Sequence, residues 1–551
     1  MKVNKSDLIS AKKLLILSFI MGIIGFLIVM RFLELSMPNK NLKITNKKED
    51  VLNKIYERGI LTDRNGNTIA SNIYVYNLKA YPRNMSNPEK TIKLLREHIS
   101  FTDFDSVKRK VYNKNKFEVI IKKNITAPEA KRINSIGIPG LEFVPIIKRF
   151  YPNKKIAAHY IGHVNKKMIG VSGAERSFNE TLNKGENIKL SIDIRVQYAV
   201  RDELIKASTQ FNYKSATAII ADINNGEIIS LVSLPDFNPN TSIDPRKNSY
   251  RNTATLNLYE MGSTFKIFSI AAALERSDID LDTKFDAREP MRLSKFTIKD
   301  HHPQNRILSI KEIFIKSSNI GASKLALELG NKKLKSFYSE LGLLNLSKID
   351  LHEKTRPITP IRWGDIETAT LSFGHGLSIS PMQMIEAGSL LFSEKKNTSV
   401  TIKKRAFGYK NEKNDFISAN TKKLLKELMY ENVIYGTGRK AKISGYEIGG
   451  KTATGEKVSS NGRYDKNKLV SSFLAIFPVK KPKYISLVLF DEPYFDDTKV
   501  NNQSATGGAT AAPTTARILK RILPILGVSK KIKKEPNIIV KQKDNLNFAS
   551  Y

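Results

Sequence analysis

No cysteine occurs among the 551 residues. That absence excludes disulfides, thiolate catalysis, cysteine zinc sites and iron–sulfur clusters together. It leaves the compartment open, because a cysteine-free chain serves in reducing and oxidising surroundings alike. Acidic side chains are scarce too: 53 Asp and Glu stand against 91 Lys and Arg, a formal net charge of +38. Such an excess suits nucleic acid or an anionic surface. The lysines are scattered among many asparagines, however, and no zinc-finger, basic-zipper or RNP-like motif accompanies them. We therefore read compositional bias in an anionic cell-envelope setting, and no nucleic-acid partner. Histidines number only 7 and none has ligand-like companions. His159 and His163 lack the glutamate of a zinc-protease helix and read as structural, and the pair His301-His302 reads as a surface or groove feature. No serine lies in a G-x-S-x-G elbow, and no internal repeat is visible. Hydrophobic residues reach 41%, so most of the chain folds, and the length suits two or three domains.

Long apolar runs are equally rare. One, residues 14–30, reads LLILSFIMGIIGFLIVM without a charge, and Phe32 and Leu33 extend it. A hydrocarbon core takes about 20 helical residues. No small-residue cleavage site follows at 30–34, so we expect an uncleaved single-pass anchor over 14–33. Lysines flank it on both sides, and charge alone leaves its orientation open. Residues 34–190, after a polar stalk, alternate short β-like runs with turns and read as a β-rich, non-catalytic pedestal. Residues 191–526 mix helical stretches (194–207, 263–274, 310–329) with apolar strands (216–221, 228–233, 471–477, 484–490). That mixture predicts a layered α/β domain. Residues 527–551 form a basic tail that we expect to be mobile.

Three short motifs carry chemistry. Ser263-Thr264-Phe265-Lys266 opens a buried helical run, which sets the serine at a helix N-terminus and the lysine three residues on, within reach of it. A serine hydroxyl needs a base to become a nucleophile. A lysine serves as that base if burial or a second cation lowers its pKa. Ser317-Ser318-Asn319 follows, ending the amphipathic stretch 310–316, where a hydroxyl is suited to relay a proton and an amide to hold a carbonyl. Lys451-Thr452-Ala453-Thr454 comes third, with a lysine and threonine on a strand edge suited to a carboxylate. Each is weak alone, since Ser393-Glu394-Lys395-Lys396, Ser418-Ala419-Asn420 and Ser459-Ser460-Asn461 match by chance. Order and spacing carry the weight.

S-x-x-K, S-D-N and K-T-G are the set of penicillin-binding proteins and serine β-lactamases. The flanking residues sharpen this. The segments Tyr259–Lys266, Lys316–Gly321, Ser372-Phe373-Gly374-His375-Gly376, Gly436-Thr437-Gly438 and Gly507-Gly508, with Arg58-Gly59, Asp63-Arg64 and Arg149–Pro152 upstream, resemble the class B penicillin-binding proteins. The resemblance is closest to the septal, FtsI-type peptidoglycan D,D-transpeptidase. It implies a transpeptidase fold (an antiparallel sheet flanked by helices), an N-terminal pedestal of the dimerisation type and a single transmembrane helix. It further implies that residues 1–13 are cytoplasmic and that the catalytic domain lies in the periplasm, held at the bacterial inner membrane. By the same resemblance Ser263 is the nucleophile, Lys266 its base and Ser317 the proton relay. Asn319 orients the donor stem, Lys451 and Thr452 hold its carboxylate, and the N–H groups of Ser263 and Thr454 form the oxyanion hole. No cofactor or metal is implied. The implied partners are peptidoglycan stem peptides, on the lipid-linked precursor and the nascent glycan, β-lactam antibiotics, a membrane glycosyltransferase of the SEDS type and other divisome proteins. Glycine and alanine are exchanged in the third motif, so Ala453 places a methyl where the family has glycine. Two alternatives stand beside this reading. One is an elongation-type relative of the side wall. The other is a P-loop NTPase, since residues 445–452 fit G-x-x-x-x-G-K-[ST], although no apolar strand precedes them and Gly455 interrupts the stretch where a helix would have to begin.

Overall fold

A computed structural model describes residues 5–36 and 57–530, apart from 242, 295, 396–398, 407, 410–413, 459–463 and 497–503, with no side chains at 5–15, 17 and 33–36. It divides into two units, 1–57 and 58–551. The first holds the helix Lys5–Ser36, whose side chains over 18–32 are all exposed. Among the described residues no helix is long and apolar enough to cross a membrane. The side chains of Leu14, Leu15, Leu17 and Leu33, within the expected span, lie outside the described residues, as do 37–56 of the stalk and 531–551 of the tail.

In the second unit, residues 61–189 build a sheet from β1 (Leu61–Thr62), β2 (Thr68–Ala80), β3 (Val119–Thr126), β4 (Leu141–Phe150) and β5 (Ile188–Lys189). The long strand β2 pairs antiparallel with β1, β3 and β4, and β1 pairs in parallel with β5. This module is less β-rich than its sequence suggests. Helices Pro88–His98, Phe104–Tyr112 and Ala127–Asn134 pack on it, with Leu95, Val107, Val111 and Ile133 set against Leu78, Ile121 and Ile125. Their apolar residues fall at helical spacing, but lysine-rich surroundings obscure the pattern. Asn87 and Asp103 cap the first two by accepting from Lys90 N and Ser106 N. Glu175, fully buried, accepts from Arg58 Nε and Arg149 Nε, each at 2.7 Å.

The larger sheet runs in the order β8–β9–β10–β6–β7, all antiparallel: β6 (Ser215–Asp222), β7 (Glu227–Leu234), β8 (Gly449–Val458), β9 (Tyr464–Phe477) and β10 (Tyr484–Asp491). Side chains alternate along each strand, and both faces are buried. Phe473, Ala475 and Phe477 meet helices Ile194–Ala207 and Ala511–Ile525, whereas Leu474 and Ile476 join the core that holds helices Lys266–Arg276 and Pro381–Phe392. Four expected strands and the 194–207 helix stand where sequence places them. The family-like segment Asp63-Arg64 reaches this sheet directly: Arg64 pairs with the buried Glu227 of β7 at 3.2 Å, and Arg64 N donates to Ile192 O at 2.8 Å.

Candidate active site

The turn that carries Ser263 is a short 3-10 segment, Gly262–Phe265, that runs into helix Lys266–Arg276. The apolar run after Lys266 is entirely core, which drags the lysine inward to 0% exposure. Glycine is required on both sides of this turn. Gly262 has φ +52°, and a Cβ there would sit 3.0 Å from Thr454 O; Gly374 has φ +85°, and its Cβ would sit 2.3 Å from Gly262 O. Strand β8 and the segment 372–376 thus both press against the serine turn. Ser269 Oγ, donating to Ser372 O at 2.9 Å, ties that segment down.

The helical stretch 310–329 is two helices, and the first ends where the sequence closes the amphipathic segment 310–316, at Ser317-Ser318-Asn319. Ser309 and Glu312 form a capping box that starts Ile310–Lys316, and the helix ends at Ser317 in the left-handed region (φ 62°, ψ 40°). Ser318 then caps Asn319–Leu329, accepting from Gly321 N at 3.0 Å. A left-handed residue with a Cβ costs about 1 kcal/mol or more. The break puts both oxygens of Ser317 at the lysine. Lys266 Nζ donates to Ser317 O at 2.8 Å and to Asn319 Oδ1 at 2.7 Å, and stands 3.0 Å from Ser263 Oγ and 3.2 Å from Ser317 Oγ.

From β8, Lys451 reaches the same hydroxyl: its Nζ donates to Ser317 Oγ at 3.0 Å. Lys451 is completely buried, and the hydroxyls of Thr452 and Thr437 lie 2.6 Å apart beside it. Thr454 Oγ1 accepts from Gly507 N at 3.0 Å. Ala453 is buried in the strand between these threonines, close to the Gly262 turn. Residues 445–452 do not form a P-loop. Lys451 and Thr452 lie inside strand β8, paired with Leu474 and Phe473, and no helix N-terminus opens there to receive phosphate.

Burial first, and the neighbouring Lys451 cation second, hold Lys266 well below the usual lysine range, while the Asp300 carboxylate opposes them. Burial alone pulls Lys451 down to about 7. A neutral lysine has two N–H donors and one lone pair. Two carbonyl oxygens, which only accept, take the donors of Lys266, and the lone pair is left for the Ser263 hydroxyl. The arrangement suits a serine nucleophile with its base in place.

A groove of about 680 Å³ runs over the serine, lined by Ser263, Ser317, Asn319, Thr437, Thr452 and Thr454, with His301, His302 and His375 on its walls. All seven predicted site residues therefore meet at one place, although Lys266 and Lys451 lie beneath the groove rather than on its surface. His159 is structural, its ring bonded to Ser249 O at 2.9 Å. Three neighbours of the site are not evident from sequence. Thr437 is visible there only as the flank Gly436-Thr437-Gly438. His375 sits in a family-like segment that suggests no role for it; burial, then the Lys266 cation, lowers it to about 4. Asp300 carries no sequence signal.

Comparison with known proteins agrees with this geometry. The penicillin binding protein transpeptidase domain matches residues 216–520, and the penicillin-binding protein dimerisation domain matches 55–192. A probable peptidoglycan D,D-transpeptidase FtsI of Caulobacter vibrioides is 36% identical over 490 residues, spanning 86% of this chain and 82% of the relative. The peptidoglycan D,D-transpeptidase FtsI of Escherichia coli is 28% identical over 505 residues, spanning 86% and 84%. Stage V sporulation protein D of Bacillus subtilis is 29% identical over 578 residues, spanning 94% and 87%. Since the first domain accounts for more than half of the sequence and sits around the serine–lysine pair, the chain belongs to the transpeptidase family of penicillin-binding proteins.

Proposed function

We propose that this chain is a serine D,D-transpeptidase that cross-links peptidoglycan stem peptides at the division septum and is acylated by β-lactams. The observation that carries the reading is a buried, uncharged-leaning lysine amine 3.0 Å from a serine hydroxyl at the floor of an open groove. Lys266 takes the proton of Ser263, and Oγ bonds to the carbonyl carbon of the penultimate D-alanine. The charge that develops on the carbonyl oxygen meets the N–H groups of Ser263 and Thr454, each worth about 10²–10³ in rate. The proton returns through Ser317 Oγ to the departing D-alanine nitrogen as the C–N bond breaks. An amine of a neighbouring stem then attacks the acyl-enzyme, gives up a proton, and releases Ser263 as a hydroxyl.

Thr437 and Thr452 present hydroxyls to the donor's terminal carboxylate, and Lys451 supplies positive charge from below. A bound carboxylate favours the charged form of Lys451 and so offsets its burial. Asn319 steadies Lys266 with its Oδ1 and orients the donor peptide with the amide hydrogen that Lys299 O does not take. The exposed apolar side chains of helix Lys5–Ser36 support a membrane anchor, and the family analogy alone supports the inner membrane with the catalytic domain in the periplasm. The family analogy supports a SEDS-type glycosyltransferase and other divisome proteins as partners, and the FtsI relatives favour the septum over the side wall.

The test is the mass of the adduct formed with penicillin, located to a peptide. We expect it on the peptide containing Ser263 and expect none in Ser263→Ala; an adduct that survives the substitution refutes the mechanism. A tagged copy should concentrate at midcell in dividing cells, and uniform side-wall signal would instead indicate the elongation-type role.

A further inference from the structure

One buried acid in this site has no part in the mechanism above. Asp300 is 8% exposed and lies at the end of the segment after strand Phe296–Ile298. Its Oδ2 accepts from Ser318 Oγ at 2.7 Å, and its Oδ1 accepts from Asn319 N at 2.5 Å and Ile320 N at 2.9 Å. On the other side of Ser317, the preceding helix holds Ser318 N on Ile313 O at 3.0 Å. The left-handed Ser317 is thus gripped from both directions. Left-handed backbone at a residue with a Cβ persists only when its surroundings fix it. The residue before Asp300, Lys299, accepts from Asn319 Nδ2 through its carbonyl at 3.1 Å, which fixes the orientation of that amide as well.

We propose that Asp300 is a positioning residue of the acylation step: by holding Ser318, Asn319 and Ile320 it sets the conformation in which Ser317 O, Ser317 Oγ and Asn319 Oδ1 all converge on Lys266. This rests on the reading of Ser263 and Lys266 as nucleophile and base. The carboxylate has a second effect through space. Lys266 is faced by Lys451 from β8, by His375 from the segment 372–376, by Asp300, and by the neutral groups of Ser263, Ser317 and Asn319. Among the charged groups around it, Asp300 is the anion, and it favours the ammonium form of Lys266. The position therefore gives up part of the neutral Lys266 population in return for geometric control.

The experiment measures acylation of the full chain by a chromogenic cephalosporin as a function of pH, for wild type, Asp300→Ala and Asp300→Asn. Asp300→Ala loses all three bonds, and acylation should slow about 10²-fold, the cost of misplacing a reacting group by about an ångström. Asn keeps the acceptor oxygen for both backbone N–H groups and offers Ser318 an N–H in return. It should restore most of the rate. Because the anion is gone, the acid limb of the profile should move to lower pH, while the limb set by Lys451, whose shift comes from burial, stays in place. A purely structural residue would leave the acid limb unmoved. Wild-type rates in Asp300→Ala, or an unmoved acid limb in Asp300→Asn, overturn the proposal while leaving Ser263 as nucleophile. If Asp300→Ala does not fold, the limb in Asp300→Asn decides alone. A wild-type chain that is not acylated at Ser263 overturns the proposed function, and this inference with it.

Discussion

Replacing Ser317 separates catalysis from backbone strain. Its hydroxyl lies 3.2 Å from Lys266 Nζ and 3.0 Å from Lys451 Nζ, so among the described residues it is the one oxygen common to both lysines. Removing a hydrogen bond to a charged group costs about 1.5–3 kcal/mol, and loss of a proton relay costs about 10²–10⁴ in rate. Ser317→Ala and Ser317→Gly should therefore both acylate at least ~10²-fold more slowly than wild type. Their stabilities should differ. Alanine keeps the strain of a Cβ at φ 62°, whereas glycine relieves about 1–2 kcal/mol of it and loses part of that gain to the greater freedom of its unfolded chain. The glycine variant should be the more stable of the two by about 1 kcal/mol. Stopped-flow acylation with a chromogenic cephalosporin reads the first quantity, and thermal unfolding reads the second. Acylation of Ser317→Ala at the wild-type rate would remove the relay. A glycine variant that melts below the alanine variant would refute the strain argument.

The same geometry sets further outcomes. In kcat/KM for a donor peptide, rate should fall with decreasing pH as Lys266 gains its proton, and fall again above about 7 as Lys451 loses its own; a profile flat through neutrality would contradict the two-lysine assignment. Lys451→Met removes the second cation, so the acid limb of penicillin acylation should move to higher pH. In the pedestal, Glu175→Ala strands two buried guanidinium groups and should cost about 3–5 kcal/mol, read by denaturant unfolding with acylation of the folded fraction retained. Ala453→Val adds bulk to a position that is 3% exposed and adjoins the Gly262 turn; it should destabilise by about 1–3 kcal/mol and slow acylation.

Much of the fold is legible in the sequence because the catalytic sheet is buried on both faces. Its strands read as continuous apolar runs with sharp ends, and 484–490 is recognisable without any partner. The three motifs are legible because each requires particular side chains at fixed short spacing. The end of the amphipathic segment at Ser317 is legible too, but its left-handed conformation is not: residues 310–329 contain no proline, and their one glycine lies past the break. What ends the helix is Asp300, an acid eighteen residues upstream of Ser318 that only the folded chain brings near. The pedestal helices are hidden differently, by lysines crowding short amphipathic segments whose apolar face is a few residues wide.

The clasp between Arg64 and Glu227 bears on how the molecule is to be produced. Glu227 is buried, and its carboxylate is shared by Arg64 on one oxygen and Lys404 on the other. Asp63 also receives Ile194 N at 3.4 Å, at the start of the helix that backs the sheet. A shortened form cut at residue 191 would strip a guanidinium from an enclosed anion and take the Asp63 acceptor from Ile194 N, leaving Asp193 alone to cap that helix. Expression of a soluble fragment is therefore better begun upstream of Arg58, so that the recombinant product keeps both halves of the clasp.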